Sequence, residues 1–387
     1  MSPYNLGKYR LRATRAVINL NILRDNLKAI KRYIGPTVSI ALSIKANAYG
    51  HGAVAVAKTA EALGITTFGV SNTDEAVELR NAGIASRILL YSLPLPEEIP
   101  VLVNEGIECF VGDEKLIILF SSEARRQNTV SVLHLKVDTG MGRIGCSPEN
   151  LPPLAEEVSK NKNLRLGGIC THFPASGSTD AYFTKKQIKI FNYWVGKVRD
   201  KGILPGVLHA ANSDALLTVP ESHMDMVRPG LLVYGYYPDG IADSVKKKVP
   251  VKPVMEFKTK VVFLKRVKAG TPISYGMIYK TKRETVITTL AAGYGDGYNR
   301  LLSNRGKVLI RGKLYPIVGR ICMDQCMADL GPRSDVKLYD DAILFGRKGS
   351  GKAENPLDAD DIARMTETIP YEVTLLITKR VPRVYIV

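Results

Sequence analysis

Through the first 230 residues of this chain, short runs of β-branched and other apolar residues alternate with stretches of helical spacing, and no other feature limits the fold as strongly. The runs cover residues 38–45, 66–71, 87–92, 107–112, 132–138, 165–173, 206–212 and 226–230. Between them, residues 53–63, 74–82, 113–126, 151–160 and 184–201 read as helices, several with Asp or Glu near their starts, where the helix dipole favours an acid. Eight such units in about 200 residues predict an α/β fold, a (β/α)8 TIM-type barrel. A doubly wound sheet fits less well, because no G-x-G-x-x-G follows the first run. An earlier apolar run, residues 16–20, and a helix-like stretch, residues 23–33, precede the set, and the sequence leaves open which domain takes that strand.

After Tyr236 the pattern changes. Residues 237–253, rich in Pro and Lys, read as a linker. Beyond them come β-rich segments at 257–267, 285–290, 308–310 and 341–345 with Gly-rich turns. The expected organisation is a barrel over residues 1–240 and a mainly β domain over 241–387, with the first strand free to join either. The net charge of +17 could suggest nucleic acid. Most of it, +12, lies after residue 240, where 27 Lys and Arg face 15 Asp and Glu, with only Lys246–Lys248 as a tight run and no nucleic-acid motif. Solvated surface lysines are the simpler reading. No stretch of 18 apolar residues and no signal-like N-terminus are found, so no membrane association and a cytoplasmic location are expected. Five scattered cysteines agree with reduced thiols.

Barrel enzymes carry their reacting groups at the C-terminal ends of the strands. The first run ends in Lys45, followed by the small, Gly-bounded turn Ala46-Asn47-Ala48-Tyr49-Gly50-His51-Gly52. A partly desolvated lysine loses its proton more readily and becomes a candidate for imine chemistry, although a strand-end lysine taken alone is more often a snorkelling surface charge. Other strand ends carry Lys136 to Arg143, Thr171-His172-Phe173, His209 to Ser213 and Arg228-Pro229-Gly230. His51, His172, His209 and His223 lie near such ends, whereas His134 reads as a packing residue. No histidine pair has metal-ligand spacing, and no metal is expected. The glycines of Gly293–Gly297 lack the Lys-Ser/Thr of a phosphate loop.

Taken together, residues 43–52, 136–145, 171–173, 209–213, 228–235, 274–276, 293–298, 319–327 and 369–372 resemble, in the same order, the motifs of the alanine racemases. The resemblance runs from about residue 14 to the end. It implies a homodimer with shared active sites, pyridoxal 5'-phosphate as cofactor, and interconversion of L- and D-alanine for cell-wall peptidoglycan. By this resemblance Lys45 attaches the cofactor as an imine and serves as one base, and Tyr275, donated by the other subunit, is the second. Tyr49, Asn212, Ser213, Tyr371 and the N–H groups of Gly230 and Leu231 would hold the cofactor. His172 would stack on its ring, and Arg228, supported by His209, would face the ring nitrogen. Arg143 and the N–H of Met323 would hold the substrate carboxylate, and Lys136 matches a lysine carbamylated in many relatives. The chain departs from the common pattern at Pro174-Ala175-Ser176-Gly177-Ser178 and at Pro229. Two rival readings are a racemase of other amino acids, such as serine or lysine, and a non-catalytic pyridoxal-phosphate carrier.

Overall fold

The computed structural model describes residues 12–176, 181–346 and 357–387; Gly177 and Ser178 of the departing loop, and the start of the N-terminus, lie outside these residues. The chain divides into two compact units, one of residues 23–48 and 52–251, the other of residues up to 22, Tyr49–His51 and 252–387.

The strand that precedes the alternating set, β1 (Arg15–Asn19), belongs to the second unit. The eight expected strands of the first unit are β2 (Ser39–Ser43), β3 (Thr67–Val70), β4 (Arg87–Leu90), β5 (Glu108–Val111), β6 (Ser131–Lys136), β7 (Leu164–Cys170), β8 (Val207–His209) and β9 (Met226–Val227). All ladders among them are parallel, in the order β8-β7-β6-β5-β4-β3-β2-β9. The ring is drawn together where Asp225 N–H donates to Leu208 O (3.1 Å) and Arg228 N–H to Ala211 O (2.8 Å). Strands such as Thr67–Val70 are buried along their whole length, which is why they read as continuous apolar runs rather than alternating ones. Ala41, Leu89, Phe110, Cys170 and Met226 pack together in this unit's core.

The stretch expected as a bare linker contains a helix, Asp243–Lys248. Its acid stands at the N-terminus and its three lysines in the last turn, an arrangement the dipole stabilises and one that extended Pro-rich flanks conceal.

The second unit contains β10 (Met255–Val267), β11 (Pro272–Ile273), β12 (Tyr279–Lys280), β13 (Thr285–Leu290), β14 (Lys307–Ile310), β15 (Lys313–Pro316), β16 (Cys326–Asp329), β17 (Asp341–Phe345) and β18 (Arg383–Ile386). Its main sheet runs β15-β14-β17-β10-β1-β18, with β13 joining β10 and β16. Strand β1 settles the question left open by the sequence: it lies antiparallel to β10 and parallel to β18. No helix among the described residues is long and apolar enough to cross a membrane.

Candidate active site

Directly after Lys45 the backbone turns left-handed. Ala46, Asn47, Ala48 and Tyr49 all have φ between 50° and 54°. For L-residues this costs about 1–2 kcal/mol each, so the neighbourhood must over-determine it. The carboxylate of Glu75 accepts from Ala46 N–H (2.6 Å) and Ser71 N–H (2.8 Å). Asn47 Oδ1 accepts from Ala53 N–H at 2.8 Å, and Asn47 O from Gly52 N–H at 2.9 Å. The turn re-aims the chain at the end of β2 while Lys45 stays half-buried. Burial, then the Arg143 charge, lower the Lys45 pKa against the opposing pull of Glu75.

Arg228 is 6% exposed and held by acceptors. Its Nη1 donates to His209 Nδ1 at 2.7 Å, and its Nη2 to Thr171 O (2.7 Å), Ala210 O (3.0 Å) and His172 Nδ1 (3.3 Å). Arginine only donates, so both imidazoles must present a bare Nδ1 to it. Burial, followed by the Arg228 charge, pushes the His172 pKa down to about 2 and that of His209 well below its ordinary value. The further cations acting on His172 are Lys136, Arg143 and Lys45, so charges from three of the expected strand ends act on one imidazole.

His134 does more than pack. The reading of it as a filler is corrected by two bonds: its Nδ1 meets His209 Nε2 at 2.9 Å, and its Nε2 meets Glu108 Oε2 at 2.9 Å. Glu108 in turn forms a two-pronged pair with Arg87, at 2.7 Å through both prongs. Burial alone would raise the Glu108 carboxyl pKa, but the bonds from His134 and Arg87 outweigh it and hold it at about 2. Glu108 and Arg87 begin their strands, His134 lies within β6, and His209 ends β8. A polar column thus threads the barrel core from its N-terminal to its C-terminal face. Room for it is made by glycine: a Cβ on Gly168 would lie 2.6 Å from His134 Nδ1, and one on Gly167 2.8 Å from His134 Nε2. Sequence reasoning missed Glu108 and His134, although paired glycines inside a strand signal a bulky neighbour.

Ser213 opens a helix, Ser213–Thr218, whose N-cap is Asn212; the Asn212 side chain accepts from Ala215 N–H. Ser213 Oγ accepts from Gly230 N–H at 2.9 Å and Leu232 N–H at 3.4 Å. With its acceptor positions taken, this hydroxyl is left as a donor, suited to an anion. Leu231 is buried. Lys136, 2% exposed, donates to Val137 O at 3.1 Å, and burial is the main cause of a pKa lowered to about 8. The loop leading to Arg143 folds onto Asp138, whose carboxylate accepts from Gly140, Met141 and Gly142 N–H. Arg143 itself is exposed.

In the second unit the rings of Tyr49 and Tyr371 lie 5.5 Å apart. Tyr275 is 72% exposed and follows Ser274, whose Oγ donates to Arg320 O at 2.6 Å. Met323 is also exposed. The glycines of Gly293–Gly297 serve close approach: Gly295 N–H donates to Met323 O at 2.8 Å, and a Cβ on Gly293 would sit 2.2 Å from Cys322 O.

Comparison with known proteins matches residues 18–238 to "Alanine racemase, N-terminal domain" and residues 254–385 to "Alanine racemase, C-terminal domain". An alanine racemase of Treponema denticola is 46% identical, over 97% of this chain and 99% of that one. One from Desulforamulus reducens is 41% identical, over 96% and 98%. Among solved structures, alanine racemase of Clostridium difficile 630 superposes with a TM-score of 0.91 at 35% identity, covering 98% of this chain and 97% of that one. The Bacillus anthracis enzyme with bound L-Ala-P gives 0.89 at 33%, covering 98% and 96%.

Proposed function

Since the chain belongs to the alanine racemase family and is an isomerase of alanine, we infer that it works with pyridoxal 5'-phosphate, in a homodimer, with Lys45 and Tyr275 as its two bases. The observation that carries this reading is Arg228, just past the end of β9, donating to His209 Nδ1 and His172 Nδ1 at the ends of their strands, with half-buried Lys45 just past the end of β2.

The residues present fit the cofactor. Ser213, left with only its O–H to give, together with Tyr49, Asn212, Tyr371 and the N–H of Leu231, would hold its phosphate as neutral donors. The Gly230 N–H supports that anion through Ser213 Oγ. His172, kept neutral, offers an uncharged face for the ring. When bound, the cofactor acts as an electron sink that acidifies the α-proton of the amino acid attached to it. Arg228 cannot accept a proton, so beside the ring nitrogen it would leave that nitrogen unprotonated and the sink weak, which would favour return of the proton to Cα over transamination.

Inversion at Cα needs a proton taken from one face and delivered to the other. Lys45, with its lowered pKa, is suited to exchange that proton at Nζ on one face. Tyr275, which is exposed, serves the opposite face of a second copy's site through its hydroxyl. Arg143 and the Met323 N–H hold the substrate carboxylate. The lowered pKa of Lys136 supplies the neutral amine that carbamylation requires, and the resulting anion would orient Arg143. Polarimetry tests the reading: with pyridoxal phosphate, L- and D-alanine should each decay to zero rotation. Unchanged alanine, or racemisation of serine or lysine in its place, would refute it.

A further inference from the structure

We propose that Glu108 is a positioning residue for the racemase reaction: through His134 it fixes the order of protons along the column and so holds Arg228 as a donor at the barrel mouth. The proposal rests on the reading that Arg228 faces the cofactor ring.

The direction of every hydrogen bond follows from the two ends. Arg228 Nη1 can only donate, so His209 Nδ1 is bare and the His209 proton sits on Nε2. That proton can only go to His134 Nδ1, which leaves the His134 proton on Nε2. This last proton needs an acceptor, and Glu108 Oε2 is there at 2.9 Å. Donor-only Arg228 and acceptor-only Glu108 therefore admit one proton arrangement, with both histidines neutral. Without an acceptor at position 108 the proton on His134 Nε2 is buried with no partner, a cost that opposes the order Arg228 sets from the other end. His134 could then carry its proton on Nδ1, which would move the His209 proton to Nδ1, against a guanidinium that cannot accept it. Arg228 would lose its Nη1 bond and with it the orientation set by Thr171 O and Ala210 O.

The surroundings are built for this task. Glu108, His134 and His209 are 5%, 0% and 0% exposed, so water does not compete for the protons. Gly167 and Gly168 give up their side chains to seat the His134 ring, and the β6–β7 register shifts between Leu133 and His134. Arg87 approaches Glu108 from the barrel's other face and keeps the carboxylate charged.

The test uses protein labelled with 15N-histidine, without added cofactor, and long-range 1H–15N correlation spectra, which distinguish the two ring nitrogens. Wild type should show His134 and His209 each protonated on Nε2 alone. Glu108→Gln can place its carbonyl at the Oε2 position, so it should keep both tautomers and stay within about threefold of wild-type kcat. Glu108→Leu should show His209 protonated on Nδ1 and, after loading with pyridoxal phosphate, at least about a tenfold lower kcat with KM for alanine moved less, as expected for loss of a carboxylate that fixes a histidine tautomer. A wild-type His209 protonated on Nδ1 or on both nitrogens overturns the proposal even if the Leu variant does not fold. So does a folded Leu variant with wild-type tautomers or wild-type kcat. Absence of any racemisation by wild type would instead refute the functional reading and leave the tautomer result standing.

Discussion

Lys45 and Arg228 are cations placed for opposite ends. Burial drives Lys45 toward its neutral form, the form that can form an imine and take a proton, whereas Arg228 is locked as a donor by four acceptors. Borohydride reduction of the loaded protein should therefore fix the cofactor on the peptide that contains Lys45; peptide mapping checks this, and a label on another lysine contradicts it. Arg228→Lys keeps the charge but replaces a planar fork with a point donor, so Thr171 O, Ala210 O and the two imidazoles cannot all be served. Leaving such buried acceptors unpaired costs about 1–3 kcal/mol. The expected outcome is a lower midpoint in urea together with slower racemisation; an unchanged midpoint would mean that the fork is not needed.

The left-handed turn and the glycine slot are features of elements, and both show where sequence reading stops. Glu75→Ala removes the acceptor shared by Ala46 and Ser71, so it should lower kcat by loosening Lys45 while leaving the fold intact by circular dichroism. Gly168→Ala would drive a Cβ to 2.3 Å from Val207 O and into the His134 ring, and about 1–3 kcal/mol of destabilisation is expected from urea titration. The eight barrel strands were legible because buried parallel strands are continuous apolar runs. Lys45, Arg228 and Ser213 were legible because they stand at strand ends beside short distinctive motifs. Glu108 and His134 were not, since they lie inside apolar strands, and only the contact across three strands gives a polar residue there its role. The partner of β1 was equally hidden: its pairing with β18 joins residues at opposite ends of the chain, a contact that no local pattern encodes.

For the whole molecule, the column couples stability to pH. Glu108 titrates at about 2 in the folded chain against 4.5 as the ordinary value, so its stabilisation is present above the ordinary value and is lost as pH falls through that window. His134 and His209 act in the same sense from 6.5 downward, because only the unfolded chain takes up their protons there. Denaturation across acid pH should accordingly show a steeper loss for wild type than for Glu108→Gln below pH 4.5, and parallel curves would contradict it. The catalytic account requires two copies: Lys45 from one and Tyr275 from the other. Lys45→Ala and Tyr275→Phe should each be nearly inactive as homodimers. Mixed and allowed to exchange subunits, half of the dimers become heterodimers in which one of two sites carries both bases, so L- to D-alanine conversion should recover to roughly a quarter of wild type. No recovery despite demonstrated heterodimers would show that the two bases do not come from different chains.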